Sequence, residues 1–163
     1  MLRSVASILL VGVLLATAAA CGPNVDLDSA LRFDDVVTGW YDAGITDDGK
    51  NKLVPSVSFR VRNTSAEMLS TVQFNLIFRR IGDPEEWSTV LVRGIGSNGL
   101  PPGQTSETIV VRAPQGYTGT QPRLQLLQNQ LFVDAKVEVF GKLGSQVWTR
   151  LDEFQIERQL LAK

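Results

Sequence analysis

Between Leu53 and Asn63 apolar and polar residues take turns, with Leu53, Val57, Phe59 and Val61 set against Ser56, Ser58, Arg60 and Arg62. A repeat of two is the pattern of a strand with one face buried and the other wet. It returns after the turn-forming run Asn63-Thr64-Ser65-Ala66-Glu67, where Val72, Phe74, Leu76 and Phe78 oppose Thr71, Gln73, Asn75 and Arg79. Pro55 has no N–H to give, which predicts that its strand starts on a sheet edge or joins the ladder only after the proline. Shorter runs of the same kind predict strands over residues 36–41, 87–93, 107–112, 131–140 and 146–156. Asp83-Pro84, Pro101-Pro102-Gly103 and Gly141-Lys142-Leu143-Gly144 punctuate them, the last closing a hairpin. Leu124, Leu127 and Leu131 follow Pro122 at helical spacing and predict one short helix over 123–129.

Seven short strands separated by turns predict an all-β fold, an antiparallel two-sheet sandwich of immunoglobulin-like type, with a small closed barrel as the alternative. The run Val57-Ser58-Phe59-Arg60-Val61-Arg62-Asn63-Thr64-Ser65 and, later, Leu100-Pro101-Pro102-Gly103-Gln104-Thr105 resemble bacterial sandwich domains of the FxLYD and related immunoglobulin-like groups. The likeness covers about Val36 to Val111, and the Phe-x-Leu-Tyr-Asp signature itself is missing. It implies a fold and an extracytoplasmic setting, and brings no catalytic residues with it.

The N-terminal segment has a different character. Arg3 is followed by the apolar stretch Ile8-Leu9-Leu10-Val11-Gly12-Val13-Leu14-Leu15 and then by Ala18-Ala19-Ala20-Cys21-Gly22. A basic start, an apolar centre and small residues before a cleavage point make an export signal. The apolar run is about thirteen residues, short of the roughly twenty that span a bilayer. The segment resembles bacterial lipoprotein signals, although Ala18 stands where that family usually has Leu. The resemblance implies that residues 1–20 are removed and that Cys21 is acylated, anchoring the protein to a membrane on the periplasmic side of a bacterial cell envelope. Gly22, in place of an aspartate, implies outer-membrane sorting over inner-membrane retention. Residues 21–30 are then expected to be a lipidated, flexible tether, with order starting near Leu31 and one domain filling 31–163.

The 143 residues after the signal are enough for a single core. They carry 15 Lys and Arg against 17 Asp and Glu, interspersed, which offers no face for nucleic acid. Cys21 is the only cysteine, so no internal disulfide can form. The chain has no histidine, which excludes a Ser-His-Asp triad, a Cys-His pair and His-ligated zinc. Gly94-Ile95-Gly96-Ser97-Asn98-Gly99 spells a dinucleotide fingerprint, but Leu100-Pro101-Pro102-Gly103 forbids the helix that must open there. Gly44-Ile45-Thr46-Asp47-Asp48-Gly49-Lys50-Asn51 falls one residue short of a phosphate loop and reads as a hairpin turn with Asp48-Gly49 at its tip. Aligned as a calcium loop, the same segment puts Pro55 where a bidentate Glu belongs. Asp83, Glu85 and Glu86 form a second acidic group, and no spacing marks a glycosidase pair. No cofactor and no metal are expected.

These exclusions leave a non-catalytic, lipid-anchored envelope module that docks an envelope protein through its loops or a sheet edge. A carbohydrate-binding module is the alternative, using Tyr117, Trp87 and Trp148 as rings for a glycan to stack on. Of the adjacent pair Trp40-Tyr41, one ring must face the core. Tyr117 is expected in a glycine-flanked loop with no strand to bury it.

Overall fold

The computed structural model describes residues 25–162. In chain order come α1 (Leu27–Ala30), β1 (Leu31–Ile45), β2 (Asn51–Asn63), β3 (Val72–Arg80), β4 (Ser88–Ile95) and β5 (Ile109–Arg112). They are followed by β6 (Tyr117–Gly119), α2 (Arg123–Gln128), β7 (Ala135–Leu143), β8 (Thr149–Ile156) and β9 (Leu160–Leu161). One sheet has the order β5-β2-β1-β9, with β6 also paired to β2, and the other runs β4-β3-β7-β8. The fold is the expected immunoglobulin-like sandwich of two sheets. The chain changes sheets after β2, β4, β6 and β8, and the sheets do not close into a barrel.

The predicted inward faces hold, but the wet face of β2 does not hold throughout: Ser56 is buried, its hydroxyl donating to the Val111 carbonyl, because Leu53–Val57 are covered on both sides. Val57, Phe59 and Val61 from β2 meet Phe74, Leu76 and Phe78 from β3 and Val137 and Val139 from β7, all buried. Phe59 packs edge-on against Phe33 at 5.1 Å and against Phe74 at 5.8 Å between ring centroids.

Four expectations need correction. The described residues hold nine strands rather than seven, because β6 and β9 are too short to show a period, and β9 runs parallel to β1. Residues 25–30 are not tether: Leu27 and Ala30 are buried, Asp26 accepts a hydrogen bond from the Asp28 N–H to cap α1, and the Thr64 N–H donates to the Ala30 carbonyl. Cys21 and the signal lie outside the described residues. Pro55 sits inside a central strand, which extends from Asn51. Its carbonyl accepts from Ala113, so its donorless nitrogen faces the break between β5 and β6, where no ladder bond is needed. Strands β7 and β8 start at Ala135 and Thr149, later than predicted: Phe132 is buried in an irregular linker ahead of β7, and β7 runs through Gly141 to Leu143, so the hairpin turn falls after Leu143 rather than at Gly141–Gly144 and delays β8.

Strand β1 contains a bulge. The register with β2 shifts between Asp34 and Val37, and Asp35 takes φ 53°. Before the bulge Leu31 and Phe33 point inward; after it Val36, Thr38 and Trp40 do. This change of parity aims Trp40 into the core and leaves Tyr41 outside, with the Arg112 guanidinium 3.6 Å from its ring centroid.

On the outer face of the second sheet, Arg79 Nε donates to Glu138 Oε2 at 2.9 Å, and Arg150 stands 3.6 Å from the other oxygen. That hydrogen bond, above all, holds Glu138 below its ordinary value of 4.5. A carboxylate depressed on folding gives stability that is complete above its unfolded value and lost as pH falls through the folded one. Urea midpoints of the wild type should therefore drop on acidification from about pH 6 to about pH 3, and Glu138→Gln should flatten that limb. Parallel acid limbs in the two proteins would refute the assignment.

Candidate docking surface at the end remote from α1

Trp40 organises one end of the sandwich. Inside, its ring meets Phe132 at 4.5 Å, Tyr117 at 5.6 Å and Trp87 at 6.3 Å. Each partner comes from a different element: Tyr117 from β6, Phe132 from the linker after α2, and Trp87 from the β3–β4 turn, where its N–H donates to the Phe78 carbonyl. Trp40 Nε1 has no hydrogen-bond partner, so packing and ring geometry hold the cluster together.

Tyr117 is not the free loop ring that its flanking glycines suggested. It pairs with Leu53 in β6, and its hydroxyl donates to the Val133 carbonyl at 3.1 Å. Burial pushes its phenol above the usual 10.0. Trp87 is also half-buried, and the two rings meet at 56° rather than in one plane. Trp148 lies elsewhere, in the β7–β8 turn beside Lys142, whose ammonium is 5.1 Å from its ring centroid. That turn bonds to Thr71, whereas Trp87 bonds to Phe78, so about 20 Å of β3 separates Trp148 from the other two.

The aromatic cluster is roofed by α2 and the linker to β7. Leu126 and Leu127 point inward, and Leu126 lies over Gly119. Arg158 fastens the linker: its Nη1 donates to the Leu127 carbonyl, its Nη2 to Phe132, and its Nε to Asp134. The Asp134 carboxylate raises the guanidinium's pKa further. A helix of six residues cannot bury every leucine, and a linker that turns Phe132 inward turns its neighbours outward. Leu124, Leu131 and Val133 are accordingly exposed, Leu131 to 85%. Ile81, whose N–H donates to the Asp134 carbonyl, and Ile45, at the other side of Gln121, are exposed at the same end. A shallow pocket of about 200 Å³ opens between Tyr117, Gln121, Leu126 and Leu131.

These exposed residues were not marked in the sequence as a surface. The signal was the helical spacing of Leu124, Leu127 and Leu131 on a segment too short to hide all three. Four of the acidic side chains in the two clusters, Asp42, Asp48, Asp83 and Glu86, are engaged by neighbours. Asp48 is held below the usual carboxylate range by Lys50, 2.6 Å away, and by Thr46. The Glu85 N–H and then Arg80 lower Asp83, and Asp42 is 2.7 Å from Arg123. Glu86 accepts from the Thr89 hydroxyl. Among the described residues no group of three or more acidic, His or Cys side chains could hold a metal ion. Gly94 and Ile95 of the apparent dinucleotide string belong to β4, and Gly99 closes a turn onto the Gly96 carbonyl, with no helix following. Among the described residues no helix is long and apolar enough to cross a membrane.

No protein-family model and no curated protein matches the chain. Among solved structures, the Northeast Structural Genomics Consortium target SoR45 is similar to it, at 14% identity over 80% of this chain and 89% of that one, with a TM-score of 0.45.

Proposed function

We propose that this protein is a non-catalytic interaction module of the bacterial cell envelope, anchored through acylated Cys21, which docks a protein partner through the end of the sandwich remote from α1. The observation that carries the docking role is the crowding of Ile45, Ile81, Leu124, Leu131 and Val133 at that end, all exposed. Exposed apolar side chains gathered in one region, rather than scattered, are the mark of a protein interface. The anchoring role rests on the sequence around Cys21. The two fit together, because the chain enters the domain at α1 and leaves the apolar end turned away from its tether. A glycan platform would require coplanar open rings, whereas Trp87 and Tyr117 are tilted and half-buried.

The test uses the full chain in its own membranes. A photo-crosslinking residue at Leu131 should give a discrete protein adduct, which Leu124→Asp should reduce at least about tenfold. The urea midpoint should stay within about 0.5 kcal/mol, since Leu124 is a surface position. The same crosslinker at Leu91, exposed on β4, should give no such adduct. Equal adducts at both positions, or an adduct indifferent to Leu124→Asp, would remove the docking role. Cys21→Ser should abolish partitioning into the detergent phase, because stable anchoring takes more than one acyl chain.

A further inference from the structure

We infer that the β7–β8 turn, through Val147 and Trp148, rests in the headgroup boundary of the membrane to which Cys21 is tethered. The inference deepens the proposed anchoring and rests on it. Helix α1 packs against β7 and β8, with Leu27 Cδ1 3.3 Å from where a Cβ on Gly141 would lie. Gly141 pairs with Thr149, the first residue of β8, so the turn between them projects from the same end of the sandwich as the incoming chain. The turn is seated there by the Gly144 N–H, which donates to the Thr71 carbonyl at 3.0 Å, and by the Gln146 N–H on Leu143.

What the turn presents is suited to a membrane surface. Val147 is 82% exposed and Trp148 40%, although valine and tryptophan have little reason to face water. Tryptophan concentrates at bilayer interfaces, where an apolar ring body and an N–H can both be satisfied. The ammonium of Lys142 beside the ring adds a positive charge for anionic headgroups. Reach supplies the second argument. Three residues lie between Cys21 and Val25, and the four extended steps from one to the other cover at most about 14 Å. With the acyl chains of Cys21 in the bilayer, the end carrying α1 cannot leave the surface. Two apolar side chains that would bind a membrane weakly alone are then held at high effective concentration. Asp28 and Glu67 are exposed at the same end, as is the apolar Met68. The domain would thus stand on the membrane at two points, the lipidated terminus and the turn, with the Leu124–Leu131 surface facing outward.

The full chain, purified from membranes and reconstituted into phosphatidylethanolamine–phosphatidylglycerol vesicles, tests this directly. Val147→Cys and Leu124→Cys each place one free thiol for an environment-sensitive fluorophore. Brominated phospholipid should quench the label at Val147 at least about threefold more than the label at Leu124, and Trp148→Ser should weaken that difference. Equal quenching at the two sites, in protein that floats with the vesicles, would overturn the membrane contact and leave the anchor standing. Protein that does not float, or wild type that takes the label at Cys21, would remove the anchor and the contact with it.

Discussion

Phe74→Ala should lower stability by about 3–5 kcal/mol, the range for deleting a buried aromatic ring, while Gln73→Ala should stay within about 0.5 kcal/mol. The contrast follows from neighbours on one strand that point to opposite faces. Phe74 is buried between Phe33 at 6.1 Å and Phe59 at 5.8 Å, whereas Gln73 stands on the outer face. The cavity would be poorly filled, because the residue beneath the ring is Gly94. A Cβ there would lie 2.1 Å from Phe74 Cε2, so the space taken by the ring is the space a side chain at 94 lacks. Urea midpoints read the result, and equal shifts for the two variants would mean that the inward face of β3 is assigned to the wrong residues.

Gly116→Ala is expected to be comparably damaging for a different reason. Its Cβ would fall 2.0 Å from the Leu53 carbonyl oxygen and 2.8 Å from the Leu53 carbonyl carbon. Backbone atoms cannot rotate aside as a side-chain tip can, so the segment entering β6 must move away from β2. Such a move would part Tyr117 from Leu53 and draw its ring out from under Trp40. A loss of about 3 kcal/mol, the upper end for overpacking, is expected, together with a change in tryptophan emission. Gly96→Ala is the control: a Cβ there meets nothing within 4 Å, and its φ is not in the left-handed region. That variant should be neutral or slightly stabilising, by up to about 1 kcal/mol, through the unfolded chain. Similar melting temperatures for the two variants would refute the close approach of Gly116 to β2.

The parts of the fold that could be read from the sequence are those whose causes are local. Strands β3 and β7 alternate because each buries one face over its whole length, β2 does so only from Val57 onward, and the turn at Asp48-Gly49 carries its own chemistry, whereas most of the predicted turn Gly141–Gly144 is strand, β7 running on to Leu143. Strands β6 and β9 exist only through partners far along the chain, Leu53 and Trp40-Tyr41, and so leave no period to detect. The β1 bulge hid which parity faces inward along that strand. The three candidate rings were individually visible, but which of them group together was not. Tyr117 and Trp87 converge with Phe132 because Trp40 is aimed at them by a bulge five residues upstream, and Trp148 is carried to the opposite end by a hairpin.

The pairing of Leu160-Leu161 with Trp40-Tyr41 also sets an order of events during synthesis. About 120 residues separate the two segments, and contacts of such span are the slow ones to form. Until Leu160 and Leu161 have been made and delivered, Trp40 and Tyr41 lie on an open sheet edge, able to accept a strand from another chain. The β1 edge is therefore covered by one of the smallest elements of the sandwich, and until that element is in place the edge stays open to pairing with another chain.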